Sequence, residues 1–139
     1  MNDTYINIKN KISNANTWQE KYREIMLLGK TLPQLSNELK IDSALVDGCE
    51  SKVWLHLEFK IGLQENTLFI NANSDTRIVK GLLCIIINLY SDLTPSEILS
   101  INPEKEFEDM SLLKHLSPSR GNGIKAILSV IHNKATAQK

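Results

Sequence analysis

The amino-acid sequence predicts an α+β fold, in which a small antiparallel sheet of about three strands is packed by N- and C-terminal helices. Apolar and polar residues alternate in the middle of the chain, as in a strand. Before and after this segment, apolar residues recur at the spacing of a helix and follow helix-capping residues. The length of 139 residues is enough to bury a core without a disulfide or metal, and it leaves no room for a second full domain. We therefore expect one domain over residues 1–139.

The N-terminal part of the chain predicts two helices. Thr17 and Glu20 have the spacing of a capping box, in which each side chain satisfies a free backbone N–H, so a helix should begin there. Gly29 offers a left-handed end to this helix, and a shorter amphipathic helix over 6–12 should precede it. Four apolar side chains are expected to form the core-facing side of the second helix: Trp18, Tyr22, Ile25 and Met26.

The middle of the chain predicts a hairpin. Residues 52–60 alternate between apolar and polar side chains, which is typical of a strand with one buried face, and residues 67–73 repeat the alternation. A short strand at 44–46 is expected to add an edge to this sheet. The connector over 31–42 has no sustained period, and at most one helical turn is expected in it.

The C-terminal part predicts several helices. Residues 77–90 are apolar in nearly every direction, so this helix should be enclosed, with Asp75 and its neighbours supplying capping oxygens. In the last helix, one apolar stripe over 124–131 should face the core, His132 should face water, and the final five residues should fray. Proline follows a capping residue at three further helix starts: Thr94-Pro95, Asn102-Pro103 and Ser117-Pro118.

The composition excludes several classes of partner. Sixteen basic residues balance sixteen acidic ones, so the chain lacks the cationic excess that a nucleic-acid backbone selects for. The N-terminus has no secretory signal pattern, and the most apolar run, 82–90, is far shorter than the roughly 20 residues of a membrane-spanning helix. We expect a cytoplasmic protein that binds neither nucleic acid nor membrane.

The two cysteines have different surroundings. Cys84 lies within the apolar helix and is expected to be a small core side chain. Cys49 follows the turn signal Asp47-Gly48 and is a loop thiol, whose acidic neighbours Asp47 and Glu50 should raise its pKa. An incidental surface cysteine or a packing role remains an alternative for Cys49. The spacing assigns no Cys–His nucleophile pair.

Neither a metal site nor a phosphate loop is predicted. Two cysteines and three dispersed histidines form no chelating cluster, and no bound cofactor is expected. The sequence Gly121-Asn122-Gly123 resembles a phosphate loop only superficially, because no strand precedes it and no Lys-Ser/Thr follows it. Close helix packing is the better interpretation of these glycines.

Five segments, however, resemble one known family. Gly48-Cys49-Glu50-Ser51-Lys52-Val53-Trp54 is similar to the G-C-x-S-x-V-W signature of SufE-type sulfur-acceptor proteins. The resemblance spans roughly residues 17–131, and four further segments agree with the family in order and approximate spacing: Trp18 to Tyr22 with Leu28-Gly29 and Leu32-Pro33, Ser74-Asp75 with Ile78 to Leu82, Leu93-Thr94-Pro95, and His115 to Arg120.

The resemblance implies a fold similar to the IscU-like scaffold proteins of iron–sulfur assembly, and it also implies a function. Proteins of this type take a persulfide sulfur from a pyridoxal-phosphate-dependent cysteine desulfurase of the SufS or CsdA type. They stimulate that enzyme and pass the sulfur to a SufBCD-like scaffold complex. No turnover without the partner is expected, and a homodimer is compatible with the resemblance.

The resemblance further implies which residues form the site. Cys49 matches the sulfur acceptor, Gly48, Glu50 and Ser51 belong to its loop, and Asp75 and Arg120 are expected near the loop or the partner surface. Two alternatives stay open. A stand-alone thiol enzyme such as a small peroxide reductase would need a Cys49 with a depressed pKa, whereas a pure adaptor would regulate the desulfurase without using the thiol.

Overall fold

The computed structural model describes residues 1–138, in which helices come before and after one β-hairpin. Helices α1 and α2 precede the hairpin strands β1 and β2, and helices α3 to α6 follow them. Three short 3-10 helices lie at Asn37–Leu39, Asp42–Ala44 and Leu113–His115. The bounds are α1 Asp3–Asn14, α2 Trp18–Gly29, β1 Val53–Lys60, β2 Thr67–Ser74, α3 Arg77–Tyr90, α4 Pro95–Ser100, α5 Pro103–Asp109 and α6 Pro118–Gln138.

Helices α2 and α4 begin where local capping signals predict. The Thr17 side chain accepts a hydrogen bond from the backbone N–H of Glu20, and Thr94 and Glu97 form a complete capping box at the start of α4. These bonds satisfy backbone donors that the first turn of a helix leaves free. The predicted first helix is confirmed and extends on both sides to Asp3 and Asn14, with Asn2 as its cap.

The sheet has two strands rather than about three. β1 and β2 pair antiparallel in a register that runs from Val53 opposite Ser74 to Lys60 opposite Thr67. The expected edge strand at 44–46 is reduced to a single bridge between Leu45 and Trp54. The 3-10 helix ends at Ala44 and a turn begins at Asp47, so only two residues between them are free to run alongside β1.

Helix α3 occupies the centre of the molecule. Ten of its fourteen residues are buried, which agrees with the enclosed helix that its sequence predicts. Helix α2 crosses α3 where Gly29 approaches Gly81, and a Cβ added to Gly29 would lie 2.8 Å from the Gly81 nitrogen. Gly29 is therefore a packing residue within α2. The expected left-handed helix end was wrong, because Lys30 caps α2 in the right-handed helical conformation.

Two expectations about helix faces and one about the C-terminus also differ from the structure. Tyr22 is 41% exposed, and its neighbour Lys21 is buried instead, with its Nζ donating 2.7 Å to the Ile12 carbonyl at the end of α1. His132 does not simply face water, since its Nε2 lies 2.8 Å from the buried Tyr90 hydroxyl. Of the final five residues, which were expected to fray, Ala135 packs in the core and α6 continues to Gln138, whereas Lys139 lies outside the described residues. None of the helices over residues 1–138 combines the length and apolarity needed to cross a bilayer.

Candidate functional site

The Cys49 loop connects the Leu45 bridge to β1. Asp47 and Gly48 form its turn, and Gly48 has a φ of +87°. This is the left-handed region of backbone space, which glycine enters without steric cost and other residues rarely adopt. The nearest atom to a Cβ at Gly48 would be the Ala126 Cβ at 3.7 Å, so the backbone angle and not crowding requires glycine here. The turn directs the following residue, Cys49, towards helix α6.

The Cys49 thiol lies against the first turns of α6 and is partly buried. Its Sγ donates a hydrogen bond to the backbone carbonyl oxygen of Gly123 over 3.5 Å. Gly123 is itself buried, and a Cβ added to it would point at Cys49. The thiol is thus neither fully exposed on the loop nor enclosed in the core.

A small cavity of about 20 Å³ adjoins the thiol. A water molecule needs roughly 10–15 Å³ of such space, so the cavity has room for about one additional atom of that size. Its wall is mostly apolar and combines the cysteine loop with β1, α3 and α6: Cys49, Glu50, Ser51, Val53, Val79, Ser119, Arg120, Gly123, Ile124 and Ile127.

Burial controls the acidity of both thiols. Burial raises the pKa of the Cys49 thiol, because the apolar wall disfavours the charged thiolate. The direction agrees with the expectation, but the cause differs: Asp47 and Glu50 are exposed to solvent, and desolvation rather than their charge produces the shift. Burial also raises the pKa of Cys84, and a hydrogen bond with Thr31 partly opposes it. Cys84 is 7% exposed, as the sequence predicts for a core thiol.

A polar clamp, residues 74–76, holds the C-terminal stem of the cysteine loop. Asp75 accepts a hydrogen bond from the Lys52 backbone N–H over 3.2 Å, and the Thr76 hydroxyl donates to the Ser51 hydroxyl over 2.8 Å. The Ser74 hydroxyl donates to the Lys52 carbonyl over 2.7 Å. Asp75 was expected to cap α3, but Thr76 occupies the cap position and makes no side-chain capping bond. The clamp therefore serves the loop and not the helix.

Arg120 lies in the first turn of α6, where it lines the cavity beside Ser119. Its backbone N–H is bonded to the Ser117 hydroxyl over 3.2 Å, which caps the helix. Among residues 1–138, no carboxylate lies within 4.0 Å of its guanidinium. Arg120 consequently lines the site without a counter-ion among the described residues.

The tertiary structure brings the six predicted site residues into one region. Gly48, Cys49, Glu50 and Ser51 form the loop, Asp75 holds its stem, and Arg120 lies at the cavity. No histidine lines this cavity: His56 bonds the Leu39 carbonyl, His115 stacks on Trp18, and His132 bonds Tyr90. Over the part of the chain that the structure describes, no three metal-ligating side chains cluster.

Sequence reasoning did not predict the residues opposite Cys49. Gly123, Val79, Ile124 and Ile127 complete the cavity from α3 and α6. The only signal was the close spacing of Gly121 and Gly123, which was interpreted as close helix packing. Gly123 is closely packed, but against the Cys49 loop and not against another helix, and at Gly121 an added Cβ would meet nothing within 4 Å.

Comparisons with known proteins agree with this architecture. The solution structure of a hypothetical protein from Thermus thermophilus superposes with a TM-score of 0.71 at 12% sequence identity, over 96% of this chain and 94% of that chain. At this identity the likeness concerns the fold alone. The family model described as "SufE: Fe-S metabolism associated domain" matches residues 6–135, slightly more than the predicted 17–131. The chain therefore belongs to the SufE family and carries a domain associated with iron–sulfur metabolism.

Proposed function

We propose that this protein is a sulfur acceptor that takes a persulfide sulfur onto Cys49 from a pyridoxal-phosphate-dependent cysteine desulfurase. It stimulates the desulfurase by clearing its persulfide and relays the sulfur to an iron–sulfur scaffold complex in the cytoplasm. The observation that carries the proposal is the position of Cys49, a partly buried loop thiol beside a cavity that has room for about one further atom. The family's association with iron–sulfur metabolism supports it.

The transfer step is a thiol–persulfide exchange. The Cys49 sulfur attacks the outer sulfur of the donor's Cys–S–SH, a new S–S bond forms on Cys49, and the donor's S–S bond breaks. The donor cysteine leaves as a thiolate and recovers a proton, while Cys49 loses its thiol proton. The exchange needs no oxidant or reductant, because the sulfane sulfur keeps its oxidation state. Pyridoxal phosphate belongs to the donor enzyme, and this chain requires no cofactor of its own.

The raised pKa of Cys49 suits a partner-dependent thiol. At neutral pH few molecules carry the thiolate that reacts with small electrophiles, so Cys49 should react slowly alone. A docked donor that draws the loop away from α6 would remove the apolar surroundings that disfavour the thiolate. Arg120, which lines the cavity and has no carboxylate within 4.0 Å among the described residues, offers such a partner a positive charge. Glu50 and Ser51, which also line the cavity, complete the surface that we propose the donor contacts.

The decisive experiment mixes the protein with a cysteine desulfurase, its cofactor and free cysteine, and then records intact mass without reductant. The wild type and Cys84→Ser are expected to gain one sulfur atom, and Cys49→Ser none. Equal labelling of all three proteins would overturn the assignment. The Cys84 variant is the matched control, since Cys84 is buried and lies away from the cavity.

Two measurements separate the remaining functions. A peroxide reductase would consume peroxide without a partner, whereas the raised pKa of Cys49 predicts slow oxidation. A pure adaptor would still stimulate the desulfurase after Cys49→Ser, whereas a sulfur acceptor loses that stimulation with its thiol. Retained stimulation in this variant would favour the adaptor.

A further inference from the structure

We propose that Gly123 is the positioning residue for Cys49: its missing side chain lets the thiol retract against α6, and its carbonyl oxygen holds the thiol proton there. The proposal rests on the proposed function, because it describes how the sulfur acceptor is held before a donor arrives. No sequence motif that led to Cys49 includes this glycine, which lies 74 positions further along the chain.

The three atoms nearest to a side chain at position 123 all belong to Cys49. A Cβ added to Gly123 would lie 3.4 Å from the Cys49 Sγ, 3.6 Å from its Cα and 3.8 Å from its Cβ. A methyl group would therefore touch the sulfur, and any larger side chain would compete with it for the same space. The Cβ alone lies at ordinary van der Waals distance from the sulfur, so the retracted position of the thiol excludes side chains longer than that of alanine.

Helix formation does not explain a glycine at this position. Gly123 lies inside α6 and has no left-handed φ, and glycine is among the least favourable residues in a helix interior. Gly121, two residues earlier on the same helix, has open space around it. The two glycines thus share a helix and differ in whether they face Cys49, which makes Gly121 a matched control.

The carbonyl oxygen of Gly123 also holds the thiol in its retracted position, by accepting a hydrogen bond from it. A carbonyl oxygen has two lone pairs, so one inside a helix can still accept a further hydrogen bond. Here the additional donor is the Cys49 S–H, 3.5 Å away. A thiolate has no proton to donate and would face the oxygen's negative end, so this contact selects the protonated thiol. The bond is weak, and a docked partner can break it at little cost.

The test measures alkylation of Cys49 by iodoacetamide in Gly123→Val and Gly121→Val. Valine has the same helix preference at both positions, but only at 123 does it displace the thiol. The expected result is a rise in the Cys49 rate on the order of tenfold in Gly123→Val, since both thiolate fraction and access increase. The rate in Gly121→Val should stay within about twofold of the wild type, because no contact changes there. Equal rates in the two variants would overturn the proposal.

Cys84 in the same chain reports whether the fold is intact, because it is buried and labels only when the core opens. If Cys84 labels together with Cys49 in Gly123→Val, the valine has disrupted the core, and Gly123→Ser against Gly121→Ser then decides. The Cβ at 123 already lies in contact with the sulfur, so the serine hydroxyl beyond it competes with the thiol for space. A faster Cys49 rate in Gly123→Ser alone supports the proposal, and equal rates in the two serine variants overturn it.

The pH profile distinguishes positioning from a loss of packing. Burial and the carbonyl both favour the neutral thiol, so the alkylation profile of Gly123→Val should shift to lower pH than that of the wild type. A faster rate with an unchanged profile would contradict the part assigned to the carbonyl. Because alkylation needs no desulfurase, these results stand even if Cys49 accepts no sulfur. Failure of sulfur transfer and failure of the Gly123 proposal are therefore distinguishable.

Discussion

The carboxylate of Asp75 accepts a hydrogen bond from the backbone N–H of Lys52 over 3.2 Å, and this bond ties the turn after β2 to the stem of the Cys49 loop. A second bond runs from the Asp75 N–H back to the Lys52 carbonyl over 3.3 Å. The two residues form a reciprocal contact at the end of the hairpin. The stem of the loop is therefore anchored, while its tip at Gly48 is held only by its turn and its packing on α6.

Removing the Asp75 carboxylate should loosen the stem. Asp75→Ala is expected to lower the free energy of unfolding by about 0.5–1.5 kcal/mol, the usual net value of one hydrogen bond, and to speed amide exchange at Lys52. Asp75→Asn keeps an acceptor oxygen and should retain most of both properties. Urea unfolding and hydrogen exchange measure the effects. Asp47→Ala, at an exposed position of the same loop, serves as the control, and an equal loss in both alanine variants would contradict the role of Asp75.

The crossing of α2 and α3 should not tolerate a side chain at Gly81. A Cβ there would collide with the carbonyl of Ile25, so the two helices must separate. We expect Gly81→Ala to destabilise the protein by about 1–3 kcal/mol despite the better helix propensity of alanine. Gly121→Ala has free space and should stabilise by up to about 1 kcal/mol. Urea unfolding of both variants measures whether stability falls in Gly81→Ala and rises in Gly121→Ala. A stabilised Gly81→Ala would refute the close crossing of α2 and α3.

The buried carboxylate of Glu106 should depend on Tyr5. The Tyr5 hydroxyl donates to Glu106 Oε1 over 2.8 Å and Lys9 lies 3.1 Å from the same oxygen, which joins α1 to α5. Glu106 is only 8% exposed, and Tyr5→Phe removes one hydrogen-bond partner of its carboxylate. This variant should lower the free energy of unfolding by about 1–3 kcal/mol.

The control for Tyr5→Phe is a more exposed ion pair. Lys11 lies 3.4 Å from Glu24 at the surface, and such pairs contribute about 0–1 kcal/mol. Lys11→Ala should therefore change the urea midpoint much less than Tyr5→Phe. Similar midpoints for the two variants would show that the Tyr5 hydroxyl contributes no more than a surface ion pair.

The two thiols should make the protein less stable at alkaline pH. Burial raises the pKa of both Cys49 and Cys84 in the folded state, whereas an unfolded thiol titrates near pH 8.5. Above that pH the unfolded chain loses thiol protons first, so the stability that the neutral thiols contribute is present below about pH 8.5 and is lost as pH rises through the folded pKa values.

The slope from each thiol cannot exceed about 1.4 kcal/mol per pH unit, because each binds one proton. Urea unfolding between about pH 8 and 9.5, below the tyrosine range, measures this fall. The double variant Cys49→Ser/Cys84→Ser should show a smaller slope than the wild type, whatever its absolute stability. Equal slopes of stability against pH in the two proteins would mean that burial does not raise the pKa values of these thiols.

Local features of the fold could be predicted from the sequence because they arise from residues close together in the chain. The Thr17–Glu20 and Thr94–Glu97 caps each join residues three positions apart, so their patterns indicate helix starts directly. Alternation along 52–60 likewise predicts a strand, since neighbouring side chains of a strand point to opposite faces. The G-C-x-S-x-V-W segment pointed to Cys49 and its loop as the proposed acceptor site by resemblance alone.

Contacts between distant segments explain what the sequence could not predict. The sequence predicts a helix end at Gly29, but Gly29 approaches Gly81 where α2 and α3 cross. The sequence also predicts that Asp75 caps α3, but its carboxylate accepts a hydrogen bond from the Lys52 backbone N–H. The hydrogen bond between Cys49 and Gly123 on α6 is likewise a contact between distant segments. Capping and alternation are short-range and leave a pattern in the chain, whereas the choice among equally plausible partners depends on which surfaces pack together, and only the folded molecule makes that choice.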